Sequence, residues 1–253
     1  MEYQILMKTA IMAGESLLKS GAETYRVEDT MEHILKTSGL SHVEVHATIT
    51  GIMATIAGDE LDQPITMITR IKERGTHLNQ IVRVNDVSRR YCGEEISLNR
   101  AYHEMQEISK TDYRGNHYSI AIMMIVTGFT LMFGGEFMEC LASLAVGAIL
   151  AGTLYYFKRL RTDAMIQDIA ASFLLTLTAL LLKAIVFPDM NLDTVIIGAI
   201  MPLVPGVAIT NAVRDTLQGD YVSGCARVLE AFLKAAAIAI GVGAGMALYA
   251  VMG

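Results

Sequence analysis

Tryptophan is absent from this 253-residue chain, cysteine occurs three times, and charged residues make up only 18% of it. Each shortage excludes something. The charged fraction lies below the roughly 25% of ordinary soluble domains. With 53% apolar residues and a mean hydropathy of +0.41, the composition is that of a membrane protein. Cys92, Cys140 and Cys225 are odd in number and widely spaced, which argues against disulfides and against a zinc site. Without tryptophan, anchoring at a bilayer interface falls to tyrosines such as Tyr118, Tyr155, Tyr156 and Tyr249. All six histidines precede Tyr118, so an intramembrane hydrolase would have no Ser-His-Asp or Cys-His set to use. No P-loop is present, so any energy coupling would come from an ion, proton or substrate gradient. Met1–Ser20 lacks a basic start followed by a continuous apolar run; no signal peptide is expected, and the N-terminal part should face the cytosol. A net charge of −6 and a pI near 5.5 give no reason to expect nucleic acid.

The charge that is present is unevenly placed. Of 20 Lys and Arg, 13 lie before Tyr118; of 26 Asp and Glu, 17 do. The chain therefore divides into a cytosolic α+β domain, residues 1–115, and a transmembrane domain, residues 116–253. In the first, residues 3–20 read as a helix with Leu6, Ala10, Ala13 and Leu17 at helical spacing, stopped by Ser20-Gly21. A second helix runs from about Glu23 to Ser38, with Val27, Met31, Ile34 and Leu35 on one face and Gly39 as its stop. Alternation then predicts four short antiparallel strands, at 43–49, 52–57, 65–71 and 78–84, before a helix over about 94–108. On the first strand His42, Glu44 and His46 share one side. They are metal-ligand types, but a half-exposed strand places polar residues at alternate positions anyway. The latter reading is taken, and no metal or cofactor is expected.

The second half carries five apolar stretches, at about 118–133, 137–157, 169–187, 194–213 and 231–252, each near the ~20 residues a bilayer requires. An all-α bundle of five spans follows. Lys110, Arg114 and His117 precede the first span; Lys158, Arg159 and Arg161 follow the second; Arg214 and Arg227 follow the fourth. The intervening loops 134–139 and 188–193 are acidic, and Lys183 beside the latter must snorkel. Positive charge thus stays on the side of the N-terminal domain, which puts the N-terminus inside and the C-terminus outside. Gly241 and Gly245, four apart, fit close helix packing rather than a nucleotide loop. Arg227, Glu230 and Lys234 form either a wet interfacial turn or a charged face lining a path. Buried acids commonly relay protons, but Asp163, Asp168 and Asp215 all lie near span ends and do not identify a coupling ion.

The fourth stretch is interrupted by Pro202-Leu203-Val204-Pro205-Gly206. Thr194 to Pro205 is ~16 Å along a helix, about half of a ~30 Å hydrocarbon core. Broken helices at that depth mark substrate sites in many transporters. Pro202 and Pro205 have no N–H, so the carbonyls of Gly198 and Met201 lose their usual helical donors. If the helix restarts at Pro205, the free N–H groups from Gly206 onward would receive a substrate carboxylate. Thr210, Asn211 and Arg214 would add a hydroxyl, an amide and a cation.

The run Met201–Asp215, continuing through Gly219–Arg227, resembles the bacterial threonine/serine exporter family, and Ser20–Glu28 resembles that family's N-terminal signature. The resemblance covers nearly all of the chain. It marks Asp215 as a substrate-binding candidate and Asp220, Ser223, Arg227, Arg26 and Glu28 as further motif residues. It implies a non-enzymatic exporter of a small carboxylate-bearing metabolite in the bacterial cytoplasmic membrane, either threonine and serine or a dicarboxylate such as succinate. The chain is similar to the unfused type, the larger subunit of a two-component succinate exporter. A small membrane-protein second subunit of the same family is then expected as partner, and so is an oligomer. The alternative is a membrane-anchored sensor or regulatory protein whose cytosolic domain binds a ligand.

Overall fold

A computed structural model describes residues 2–110, 118–160 and 162–252. Arg114, His117 and Arg161, three of the cations read as flanking the spans, lie outside the described residues, as does Gly253. In chain order the elements are α1 (Tyr3–Lys19), α2 (Thr24–Lys36), β1 (His42–Thr48), β2 (Gly51–Ala57), β3 (Ile65–Arg70), α3 (Leu78–Cys92) and α4 (Leu98–Lys110). They continue as α5 (Tyr118–Met132), α6 (Phe137–Arg159), α7 (Ala164–Ile185), α8 (Leu192–Ile200), α9 (Gly206–Leu217) and α10 (Tyr221–Met252). The chain divides into two compact units, Met1–Tyr113 with Gly206–Leu229, and Arg114–Pro205 with Glu230–Gly253. Segment 206–229, read from the sequence as part of the membrane domain, is thereby grouped with the N-terminal residues.

In the first unit the expected apolar stripes form the core. Leu6, Ala10, Ala13 and Leu17 of α1 and Val27, Met31, Ile34 and Leu35 of α2 are all buried. The sheet is a three-stranded antiparallel meander in the order β1-β2-β3, with Val45 opposite Ala54 and Met53 opposite Ile68. Val45 and Ala47 point into the core while Glu44 and His46 are exposed, as alternation requires. Gly21 and Gly39 both stand in the left-handed region, φ +83° and +74°, and end their helices as expected.

The fourth strand expected at 78–84 is instead the first half of α3. Val84, Val87, Ser88 and Tyr91 are buried at helical intervals, whereas Leu78 and Val82 are exposed. Seven residues do not separate period 2 from period 3.6; the stripe becomes unambiguous only when followed to Tyr91. The helix expected from Glu94 begins at Leu98, because Glu94 itself has φ +60°.

In the second unit α6 and α7, together with α10, are long and apolar enough to cross a bilayer, and α5 is a shorter apolar helix. Less than half of each long segment is buried, 44% for α6, 39% for α7 and 28% for α10. Phe137, Ile149, Ile185, Ile240 and Val251 stand exposed along them, a surface for lipid rather than water. Lys183 resolves its expected conflict by donating to the carbonyl of Met190 at 3.0 Å. Small residues set the helix spacing. A Cβ at Gly241 would meet Ser172 Oγ at 2.0 Å, one at Gly245 would meet Thr176 at 3.1 Å, and one at Gly198 would meet Thr130 Oγ1 at 2.3 Å.

The expected fourth span over 194–213 is not one helix. Its first part is α8, nine residues long, and its second is α9. The turn between them closes on itself: Leu203 and Val204 N–H donate to the Ile200 carbonyl, and Val204 N–H also reaches Met201 O at 3.2 Å. The Met201 carbonyl, expected to be left free, has that local donor in place of the missing Pro205 N–H.

Candidate functional site

The polar residues of the two motif segments converge inside the first unit. Gly219, at φ +91°, and Asp220 turn α9 back into α10. Gly224 lets the two helices close: a Cβ there would lie 2.2 Å from Thr216 Oγ1. This hairpin faces the loop between α1 and α2. Gly21 makes that loop possible, since its backbone is left-handed and a Cβ would stand 2.8 Å from the Gly75 carbonyl.

At the centre is Asp215, with no exposed surface. One carboxylate oxygen accepts from the Thr24 backbone N–H at 3.0 Å. The other accepts from Thr24 Oγ1 at 3.2 Å and from Arg227 Nε at 2.8 Å. Thr24 opens α2, so a carboxylate from a distant helix satisfies an otherwise orphaned amide at the positive end of the helix dipole. Arg227, also buried, uses its remaining fork to donate to Ala22 O at 2.8 Å. Asn211 Nδ2 donates to Gly21 O at 2.7 Å. Arg214 forms a close salt bridge to Glu23, whose other oxygen lies 3.5 Å from Arg26. Burial pushes the Glu23 carboxyl up, but its own backbone N–H, the Arg214 hydrogen bond and the charges of Arg26 and Arg214 together bring it below its usual range.

The remaining candidates take simpler positions. Pro202 and Pro205 lie in the turn before α9, and Gly206 is that helix's first residue. Thr210 Oγ1 donates to the Gly206 carbonyl of its own helix at 3.0 Å. Asp220 caps α10 through Ser223 N–H at 3.0 Å, while its second oxygen and the Ser223 hydroxyl are buried without a partner among the described residues. Glu28 accepts from Ala47 N–H at 2.8 Å and lies 3.5 Å from His46. Burial raises its carboxyl pKa; Ala47 and His46 oppose this, and Asp220 and Glu32 add to it. Among the described residues no three His, Cys, Asp or Glu side chains gather as a metal-binding group.

Both motif segments were legible in the sequence, but their pairing was not. Asp215 and Arg227 are twelve residues apart across a turn, and Thr24 is 191 residues from Asp215. No period or spacing relates them.

The structure thus defines a chain with an α+β unit, a lipid-compatible helical unit, and a buried ionic cluster built from its two motif segments. A family model described as "Putative threonine/serine exporter" matches residues 8–249, and the chain belongs to that family. Among curated relatives, a "Probable threonine/serine exporter" of Mycobacterium tuberculosis is 18% identical over 94% of this chain and 45% of its own length. A "Threonine/serine exporter" of Corynebacterium glutamicum is 20% identical over 96% of this chain and 51% of its own length. The chain therefore spans about half the length of these relatives. No solved structure matches it.

Proposed function

We propose that this chain is the larger subunit of a secondary exporter in the bacterial cytoplasmic membrane, moving threonine or serine out of the cell. The observation that carries this reading is the family match from residue 8 to residue 249, which takes in both motif segments. Relatives named for threonine and serine favour an amino acid over a dicarboxylate such as succinate. The exposed apolar helices support placement in a membrane. The positive loops favour a cytosolic N-terminus and an outer C-terminus. In this reading the Asp215–Arg227 cluster fixes the α9–α10 hairpin against the motif loop 21–24. The first turn of α9, from Gly206, offers the substrate carboxylate its free N–H groups. A second, smaller membrane protein of the same family completes the exporter, because five apolar spans without a visible internal repeat resemble one part of a larger transport assembly.

The test is metabolite profiling of the medium of cells carrying the chain and that partner, the chain alone, or neither. Threonine and serine should accumulate outside only when both are present. Accumulation of succinate instead would reassign the substrate, and no difference between the strains would refute the exporter reading.

A further inference from the structure

Among the described residues of the second unit, Asp168 and Lys234 form a charged pair that neither caps a helix nor ties down a loop. Glu139 holds its own helix start and the loop before α8, accepting from Glu136 N–H at 3.0 Å and Asn191 N–H at 2.7 Å. Asp163 caps α7 through Met165 N–H, and Lys183 ties down the Met190 carbonyl. Asp168 and Lys234 do neither. Asp168, the fifth residue of α7, is 7% exposed, and its carboxylate lies 3.8 Å from the Lys234 ammonium. That separation is too long for a hydrogen bond. No hydrogen bond reaches the Asp168 carboxylate among the described residues.

The pair sits at one end of a seam. Along α7, Ser172 and Thr176 follow Asp168 at four-residue intervals, and their hydroxyls are bonded within the helix to Asp168 O and Ser172 O. Gly241 faces Ser172 and Gly245 faces Thr176, so α7 and α10 run in the same direction along the contact. From Asp168 to Thr176 is ~12 Å of helix and from Lys234 to Gly245 ~16 Å, so Lys234 reaches the acid by extending its long side chain over about one turn. Its side chain remains 39% accessible, unlike that of Asp168. One partner is therefore fixed and buried while the other is able to swing.

We propose that Asp168 and Lys234 form a second ionic station for the exported α-amino acid, separate from the first turn of α9, with the substrate ammonium there on Asp168 and the substrate carboxylate on Lys234. This rests on the exporter reading above. A zwitterion entering an apolar bundle needs both charges compensated, and an unpaired charge there is costly. The exchange meets that condition: one internal ion pair opens and two substrate ion pairs replace it, with net charge unchanged at each stage. The ammonium supplies up to three donors to a carboxylate that has none. A dicarboxylate gains only Lys234 and is repelled by Asp168, so the station selects amino acids.

The experiment compares the full chain with Asp168→Asn, Lys234→Gln and the double variant, at matched membrane abundance and identical elution profile. Binding of radiolabelled threonine to the purified chain is measured beside export from threonine-loaded cells carrying the partner. A pair that merely holds α7 to α10 tolerates joint neutralisation, because neither charge is then left alone. A substrate station does not. All three variants should lose at least ~10-fold in threonine binding, or ~1.4 kcal/mol, and succinate should not compete in the wild type. Wild-type threonine binding by the double variant overturns the station, as does a wild-type chain that binds no threonine. Binding that depends on the pair, in cells that export nothing, would instead sink the exporter reading and leave the station standing.

Discussion

Replacing Asp215 with alanine should unlatch the α9–α10 hairpin from the loop that carries Gly21 and Thr24. The substitution removes three hydrogen bonds at once, leaving Thr24 N–H and Oγ1 without their acceptor and the buried Arg227 guanidinium with only Ala22 O. Removing one member of a buried, hydrogen-bonded ion pair costs on the order of 3–5 kcal/mol. Against a typical ~5–15 kcal/mol of total stability, that is a large share. At roughly 3 °C per kcal/mol for a domain of this size, the thermal midpoint should fall by about 10–15 °C. Cys92 gives a local reading, because it packs against the core of the first unit while Cys225 is exposed. In a background with Cys140→Ser and Cys225→Ser, thiol labelling during heating of the detergent-solubilised chain follows Cys92 alone. Arg227→Ala should behave like Asp215→Ala, and the double variant should lose markedly less than the sum of the two, with a coupling of ~1.5 kcal/mol or more. A midpoint within about 2 °C of wild type for Asp215→Ala, or fully additive single effects, would refute the latch.

Two other perturbations test the packing and the charges. Gly241→Leu should force α7 and α10 apart, since a Cβ there meets Ser172 Oγ at 2.0 Å and Ile169 O at 2.4 Å, whereas a Cβ at Gly243 meets nothing within 4 Å, which makes Gly243→Leu the control. Overpacking of this kind costs ~1–3 kcal/mol or more, so the first variant should show a lower thermal midpoint and the second the wild-type value. In the first unit the hydrogen bond from Arg90, with help from Arg100, holds the Glu104 carboxyl below its ordinary 4.5, and Glu23 is lowered as well. A depressed folded pKa contributes stability above the unfolded value that is lost as pH falls through the folded one. Thermal midpoints should therefore be level near neutral pH and drop below about pH 4.5, and Glu104→Gln should flatten that drop. An unchanged pH profile in Glu104→Gln would contradict the assignment.

Wherever a local period ran long enough, the sequence alone determined the structure. The stripes of α1 and α2, the left-handed stops at Gly21 and Gly39, the three strands and the apolar helices all follow from residues within a few turns of one another. Segment 78–84 failed because its seven residues satisfy two periods, and only burial at Val87 and Tyr91 selects the helix. The interruption after Ile200 was legible because proline removes a donor whatever surrounds it. What proline could not reveal is how the freed Met201 carbonyl would be satisfied, or that α9 would group with residues 1–113. The pairings of Asp215 with Thr24 and Arg227, of Arg214 with Glu23 and of Asp168 with Lys234 belong to tertiary structure alone. A buried charge needs a partner, and the sequence shows that need at each residue. Which partner answers depends on which helices the chain brings together, and that is settled by packing between segments up to 205 residues apart.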